Sequence, residues 1–312
     1  MRVLVTGGAG FIGSHLVDRL LEQGNSVRVL DNLSSGPRRD LPGDGYQLIE
    51  GDVRDRAIVE ASLDGVDHVF HLAALVSVPA SIQAPRDCYE VNLIGSLQVL
   101  QAAKVAGVQR VVLASSAAVY GDFLGPVSEA TAPAPLSPYA ASKLGMEQAA
   151  QLFTTTFGLE TVCLRFFNVF GPRQAPDSQY AAVIPAFIQA GLVQDPPVVH
   201  GDGQQRRDFV FVADAVQACL LAATREGASG SVINIGGGGS VTIRDLAGIL
   251  QRPFPDAPKP ALGPWREGDI RHSEADLSRA HALLGYHPVT TLEQGLEVTI
   301  EWFRHRQAEI TL

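Results

Sequence analysis

The sequence predicts an α/β fold: a doubly wound parallel sheet followed by a smaller mixed α/β unit. Three observations carry this. Short runs of Val, Leu and Ile alternate with longer helical patterns through the first two-thirds of the 312 residues, and such continuous apolar strands belong to a parallel sheet covered by helices on both faces. A cluster of glycines, Gly7-Gly8-Ala9-Gly10, stands between the first apolar run and the first helical pattern. After about residue 171 the rhythm changes, and Pro, Gly and short segments dominate. At 46% hydrophobic and 18% charged, the chain can bury a sizeable core, which excludes disordered and collagen-like classes.

Taken in order, residues 3–6 form the first strand, followed by the glycine turn and a helix over 11–23. A second strand spans 26–30. Further strands are expected at 47–50, 66–70, 110–114 and 160–164, with helices over 54–63, 85–106 and 139–157 between them, joined by right-handed crossovers. The domain division expected is a nucleotide domain over 1–171 and a substrate domain over 172–312, with about 208–235 returning to the first. The Pro-rich stretch 253–264 reads as a loop.

Charge and cysteines exclude several classes. The balance of 24 − 33 = −9 argues against a nucleic-acid binder, which needs a basic footprint, while leaving room for a local basic pocket. Cys88, Cys163 and Cys219 are odd in number and far apart, with no C-x-x-C pair, so neither a disulfide framework nor a metal site is expected. No apolar run approaches bilayer length. The N-terminal Met-Arg-Val-Leu-Val-Thr-Gly-Gly carries no signal-peptide h-region. The expectation is a soluble cytoplasmic protein with no membrane or nucleic-acid partner.

The glycine run Gly7-Gly8-Ala9-Gly10-Phe11-Ile12-Gly13 contains G-x-G-x-x-G. A tight turn, a close approach of backbone to a pyrophosphate, and close helix–strand packing each exclude a side chain there. The helix N-terminus that follows offers N–H groups and its positive dipole end to phosphates. Asp31 ends the second strand at the distance expected for an acceptor of ribose hydroxyls, and its charge repels a 2′-phosphate. The pattern therefore points to a Rossmann-type site for NAD rather than NADP, against the competing reading of structural glycines and a loop carboxylate. Gly51-Asp52-Val53 closes the third strand where an adenine can lie. His71-Leu72-Ala73-Ala74 ends the fourth, its small residues letting backbone pass close to a cofactor. His71 itself is read as structural.

Tyr139-Ala140-Ala141-Ser142-Lys143 places Tyr and Lys on one helix face. An ammonium near a phenol lowers the phenol pKa from about 10, making Tyr139 a usable general base. Ser115-Ser116-Ala117-Ala118-Val119-Tyr120-Gly121 follows the fifth strand, where a hydroxyl can hydrogen-bond a reacting oxygen. A surface helix pair and a strand-end turn are the plain alternatives for each alone. Their combination with the glycine loop and Asp31, in this order, is what carries the reading.

With these residues the chain resembles the extended short-chain dehydrogenase/reductase family, most closely its UDP-glucose and UDP-N-acetylglucosamine 4-epimerases. The resemblance rests on residues 6–13, Asp31-Asn32-Leu33-Ser34-Ser35-Gly36, Gly51-Asp52-Val53, Asn92, 115–121 and 139–143, and extends over about 2–303. It implies an isomerase that inverts C4 of a UDP-hexose through a transient 4-keto sugar, with NAD as cofactor. It implies a catalytic set of Ser116, Tyr139 and Lys143. The cofactor would be lined by Gly7, Gly10, Phe11, Ile12, Gly13, Asp31, Asn32, Ser34, Ser35, Gly36, Asp52, Val53, Leu72, Ala73, Ala74, Asn92 and Phe167, with Tyr139 and Lys143. The substrate residues it implies are Ser77, Ser116, Tyr139, Asn168, Ala182, Val183, His200, Arg207, Arg266, Asp269 and Ser273. Chemistry supports the two arginines independently, because guanidinium binds phosphate oxygens with a bidentate fork.

The choice within the family turns on a few positions. Dehydratases resembling this chain carry Asp-Glu where it has Ala117-Ala118, and UDP-glucuronate decarboxylases generally carry Glu at the second place. UDP-glucuronate epimerases often carry Arg at the place of Ala175. These favour a neutral hexose. Val76 stands where some UDP-glucose epimerases have Lys. Ser273 stands where a bulky aromatic restricts some of them to glucose and galactose, and it can instead be the N-cap of a helix over 274–284. A UDP-glucuronate 4-epimerase or decarboxylase stays open as an alternative, as does an NAD-bound regulatory protein without turnover. The apolar excess of 85–106 and 139–157, together with the family's helical interface, predicts a homodimer. A monomer mass in light scattering at micromolar protein would contradict it.

Overall fold

The computed structural model describes residues 1–35, 40–175, 182–265 and 270–311, with side chains described as far as residue 308. Seven parallel strands form the central sheet among these residues: β1 (Arg2–Thr6), β2 (Ser26–Asp31), β3 (Tyr46–Glu50), β4 (His68–His71), β5 (Arg110–Ser116), β6 (Glu160–Phe166) and β10 (Ser231–Ile235). Their spatial order is β3-β2-β1-β4-β5-β6-β10. The order reverses between β1 and β4, and ligands of open α/β sheets bind beyond the strand ends at such a switch point. Val3, Leu4 and Val5 are all buried, as a strand covered on both faces requires.

Each face has its own core. On one, α1 (Phe11–Glu22) packs beside α8 (Val212–Thr224), joining Leu16, Leu20, Ala215 and Cys219 to Val5 and Phe70. On the other, α2 (Arg56–Ser62), α5 (Ser96–Ala106) and α6 (Pro138–Phe157) contribute Val59, Leu100 and Met146 over Leu4 and Val111. Helix α1 follows from five buried apolar or small positions along one face, and α6 from a Ser137 cap whose Oγ accepts the Ala140 N–H, with Pro138 opening the first turn.

The helix expected over 85–106 is present and unbroken, but its middle is π-helical. Short helices α3 (Val78–Gln83) and α4 (Pro85–Tyr89) lead into a π-turn over Glu90–Gly95 before α5 begins. The wider turn carries Asn92, which is 1% exposed and gives both ends of its amide to one residue: Oδ1 accepts the Leu75 N–H at 2.8 Å, and Nδ2 donates to the Leu75 carbonyl at 3.0 Å. A one-residue widening of this kind is a common way to aim a polar side chain at a functional site.

Beyond β6 come β7 (Asn168–Phe170), α7 (Val183–Leu192), β8 (Val198–His200) and β9 (Arg206–Phe211), and α8 and β10 then return the chain to the large sheet. They are followed by β11 (Ser240–Thr242), α9 (Ile243–Gln251), β12 (Ala261–Gly263), α10 (Ser278–Leu284) and α11 (Leu292–Thr311). Small sheets β11-β9-β7 and β12-β8 sit over a third core that includes Phe170, Phe187, Leu246, Phe254 and Phe303. The alternative of Ser273 as a helix N-cap is corrected. Helix α10 starts five residues later, with the Ser278 N–H on Asp276 Oδ1, and Ser273 lies in an extended segment bonded to β9. No described helix is long and apolar enough to cross a membrane.

Candidate active site

The glycine loop closes over the switch point. Gly7 adopts φ +70°, and a Cβ there would stand 2.6 Å from the Ala73 backbone N, so the exit of β4 lies directly against the loop. A Cβ on Gly13 would stand 2.1 Å from the Gly7 carbonyl oxygen. Helix α1 then opens at Gly10 with no side-chain cap, so its first turn presents bare N–H groups and the positive end of its dipole. Asp31, 8% exposed, accepts the Ala9 N–H on Oδ2 at 2.9 Å and the Leu33 N–H on Oδ1 at 2.8 Å. The carboxylate is thereby fixed beneath the loop, with lone pairs left on both oxygens for further donors. Asn32 Nδ2 donates to Asp52 Oδ2, and Ser34 N–H to Asn32 Oδ1. Hydrogen bonds from Arg54, chiefly from its side chain, hold the Asp52 carboxyl down at about 2.

A dinucleotide fits this set: bare N–H groups for a diphosphate, a fixed carboxylate for ribose hydroxyls, and glycine where backbone must come close. Leu72, Ala73 and Ala74 run past the loop, and Asn92 fixes Leu75 just beyond them. Val53, Asn92 and Phe167 are buried: Val53 in the sheet core, Phe167 with Val119, Tyr120 and Val127. Gly36 lies outside the described residues. His71 is structural. Its ring meets Thr6 Oγ1 at 2.7 Å and Ser96 Oγ at 2.8 Å, and burial first, then the Lys143 charge, pushes its pKa down to about 3.

Ser116 ends β5, while Tyr139 and Lys143 stand one turn apart at the start of α6. The Ser116 hydroxyl is hydrogen-bonded to the Tyr139 phenol and accepts the Ala118 N–H at 3.1 Å. Tyr139 is anchored through its own N–H, which donates to Ser81 Oγ at 3.1 Å. Lys143 is 3% exposed, and its Nζ donates to the Ala114 carbonyl at 2.7 Å.

The expected depression of the phenol pKa by Lys143 is corrected. Burial pushes the phenol up, the Ser116 hydrogen bond acts against the rise, and Lys143 is not among the groups that set it. Its ammonium is aimed at Ala114, and burial pushes it down to about 8. Behind the trio, Arg165 pairs with Glu147 through bonds of 2.8 and 2.6 Å and stacks over the Tyr120 ring, while Ser115 Oγ also donates to Glu147.

On the substrate side, Asn168 begins β7 and its Nδ2 donates to the Asp208 carbonyl at 2.8 Å. Arg207 lies on β9, and Ser273 bonds β9 through its N–H to the Arg206 carbonyl and its carbonyl to the Asp208 N–H. Ala182 and Val183 form the start of α7. His200 ends β8 with Nδ1 at 3.0 Å from the Pro264 carbonyl oxygen, and Ser77 caps α3 by accepting the Ala80 N–H. Arg266 and Asp269 lie outside the described residues. Sequence reasoning missed Ser81, whose contact with Tyr139 joins segments 58 residues apart, and gave no role to Asp208. Its one sequence signal was a carboxylate leading into Phe209-Val210-Phe211, a place that a strand buries.

A family model described as the NAD dependent epimerase/dehydratase family matches residues 3–236. A UDP-glucose 4-epimerase of Mycolicibacterium smegmatis is 38% identical over 98% of this chain and 99% of its own. A UDP-N-acetyl-alpha-D-glucosaminuronate decarboxylase of Bacillus cytotoxicus is 35% identical over 97% of this chain and 98% of its own. Among solved structures, a UDP-N-acetylglucosamine 4-epimerase from Methanobrevibacter ruminantium, in complex with UDP-N-acetylmuramic acid, superposes with a TM-score of 0.94 at 41% identity over 98% of each chain.

Proposed function

The chain belongs to the NAD dependent epimerase/dehydratase family, and from that premise we propose that it inverts C4 of a UDP-hexose. UDP-glucose and UDP-galactose are the first pair and the N-acetyl pair the second. The observation that carries this reading is the turn Ala117–Tyr120, which follows Ser116 directly and opens on two alanines. Removing water across C5–C6 needs a further acid and base, and a methyl group supplies neither. The proton-handling groups that remain serve one oxygen, the sugar O4.

The cofactor of the family is NAD, and when bound it supplies the acceptor and donor for the C4 hydride. The backbone at Gly7, Gly10 and Gly13 and the first turn of α1 hold its diphosphate, and Asp31 takes the adenosine ribose hydroxyls. Lys143 holds the nicotinamide ribose. Tyr139 takes the proton from O4 and returns it to the same oxygen, and Ser116 steadies that oxygen by a hydrogen bond. Arg207, with Arg266, grips the sugar-nucleotide diphosphate, so that the sugar can turn about the diphosphate bonds and present its other face.

Product NMR after separate incubation with UDP-glucose, UDP-N-acetylglucosamine and UDP-glucuronate tests the reading. Interconversion of the 4-epimers with no net use of NAD supports it. A UDP-pentose from the uronate, or a 4-keto-6-deoxy product, overturns it.

Sugar choice is assigned to Ser273. Its backbone N–H and carbonyl both bond β9, so a larger side chain there does not disturb a helix end. Ser273→Tyr is expected to cut activity on UDP-N-acetylglucosamine by about tenfold or more while sparing UDP-glucose, since pockets discriminate by exclusion. An unchanged ratio of the two activities rules out the gate.

A further inference from the structure

Asp208 is a carboxylate with 0% exposure in the middle of β9. Its Oδ1 accepts the Gly237 N–H at 2.6 Å and its Oδ2 the Ala275 N–H at 3.1 Å. Its own N–H donates to the Ser273 carbonyl at 2.7 Å, and its carbonyl accepts from Asn168 Nδ2 at 2.8 Å. One residue thus bonds three separate segments: β7, the glycine run after β10, and the extended stretch that carries Ser273. The glycine run is shaped around it. A Cβ on Gly236 would stand 2.5 Å from Asp208 Oδ2, and one on Gly237 2.1 Å from the Phe209 carbonyl oxygen.

We propose that Asp208 is a positioning residue for the sugar-nucleotide pocket, its carboxylate holding the Gly237 and Ala275 backbones so that Asn168, Arg207 and Ser273 face one bound diphospho-sugar. The inference rests on the UDP-hexose reading above and deepens it.

The charge on Asp208 is costly, which is the second argument. Burial pushes its pKa up to about 7, the Gly237 and Ala275 N–H groups oppose the rise, and Glu274 adds to it. No Lys or Arg among the described residues offsets that burial. Of the neighbours, Arg206 spends its guanidinium on Ser240, and the Tyr286 hydroxyl donates to the Gly236 carbonyl, its own pKa raised by burial and by Asp214 and Asp208. Because the folded pKa lies above the ordinary carboxyl value of 3.8, the folded state holds the extra proton between the two values. The stabilisation this gives is present in acid and is lost as pH rises through about 7. A buried carboxyl kept at this cost, with one backbone N–H on each oxygen, fits a geometry that is needed for binding.

Asp208→Asn, as the NAD-loaded protein, separates the two roles. A positioning role predicts a KM for the UDP-hexose about tenfold higher with kcat changed by less than about threefold. It also predicts bound NAD at the wild-type level. An unchanged KM overturns it, as does a loss of Tm, NAD and kcat together. If Asp208→Asn fails to fold, Gly237→Ala moves the same N–H away from Oδ1 by pressing on the Phe209 carbonyl. The same split between KM and kcat is expected there, and its absence overturns the proposal. A wild-type protein that neither binds nor turns over any UDP-hexose defeats the functional reading and this inference with it. An active wild type with an unaltered Asp208→Asn variant defeats the inference alone.

Discussion

Tyr139→Phe is expected to lower turnover of the UDP-hexose by about 10²–10⁴-fold, the usual worth of a positioned acid–base group. UDP-sugar affinity and bound NAD should stay close to wild type. The change removes one hydroxyl and little else. The ring is 9% exposed and keeps its packing, and the anchor to Ser81 is made by the backbone N–H, which Phe retains. What disappears is the phenol bonded to Ser116, the group placed to exchange a proton with O4. Ser116 cannot replace it, because a serine hydroxyl is a far weaker acid than a phenol. Steady-state kinetics with analysis of released cofactor checks the prediction. Near-wild-type turnover would remove Tyr139 from the chemistry.

The trio was legible in sequence because its spacing is local: i and i+4 on a helix for Tyr139 and Lys143, and a strand end for Ser116. The glycine loop and Asp31 were legible for the same reason, since turn chemistry is written in neighbouring residues. The direction of Lys143 was not. Its partner, the Ala114 carbonyl, comes from an adjacent strand, and only the packing of α6 on β5 brings the two together. The π-turn was equally hidden, because one extra residue in a turn barely shifts the apolar period of 85–106, and the contact made from it, Asn92 with Leu75, spans 17 residues. Ser273 followed by Glu274 looks like a helix start. Pairing of that stretch with β9, and of Val127 with Ala275, holds it extended instead. Asp208 shows the same limit: the sequence displays a charge beside two arginines, and only the fold shows it closed off from water and bonded to three segments.

Gly13→Ala is expected to cost the protein its NAD, with activity falling by about 10²-fold or more, since a misplacement of about 1 Å at a binding group is enough for such a loss. The added methyl would stand 2.1 Å from the Gly7 carbonyl oxygen and 2.8 Å from the Gly8 Cα, so backbone rather than a movable side chain is in the way. Neither wall can retreat. Gly7 is held by its N–H on the Leu30 carbonyl at 2.9 Å and is wedged against Ala73. Helix α1 is fixed by Leu16 and Leu20, both fully buried in the sheet core. The strain is relieved only by opening the loop, which moves the bare N–H groups at Phe11 and Ile12 away from the place where they meet a diphosphate. Gly24→Ala is the control. Gly24 also has positive φ, but nothing lies within 4 Å of its Cβ position. That change should cost only about 1 kcal/mol of backbone strain and leave NAD in place. Cofactor released on denaturing the two purified variants, measured per mole of protein, decides the matter. Stoichiometric NAD in Gly13→Ala would show that the loop does not hold the diphosphate.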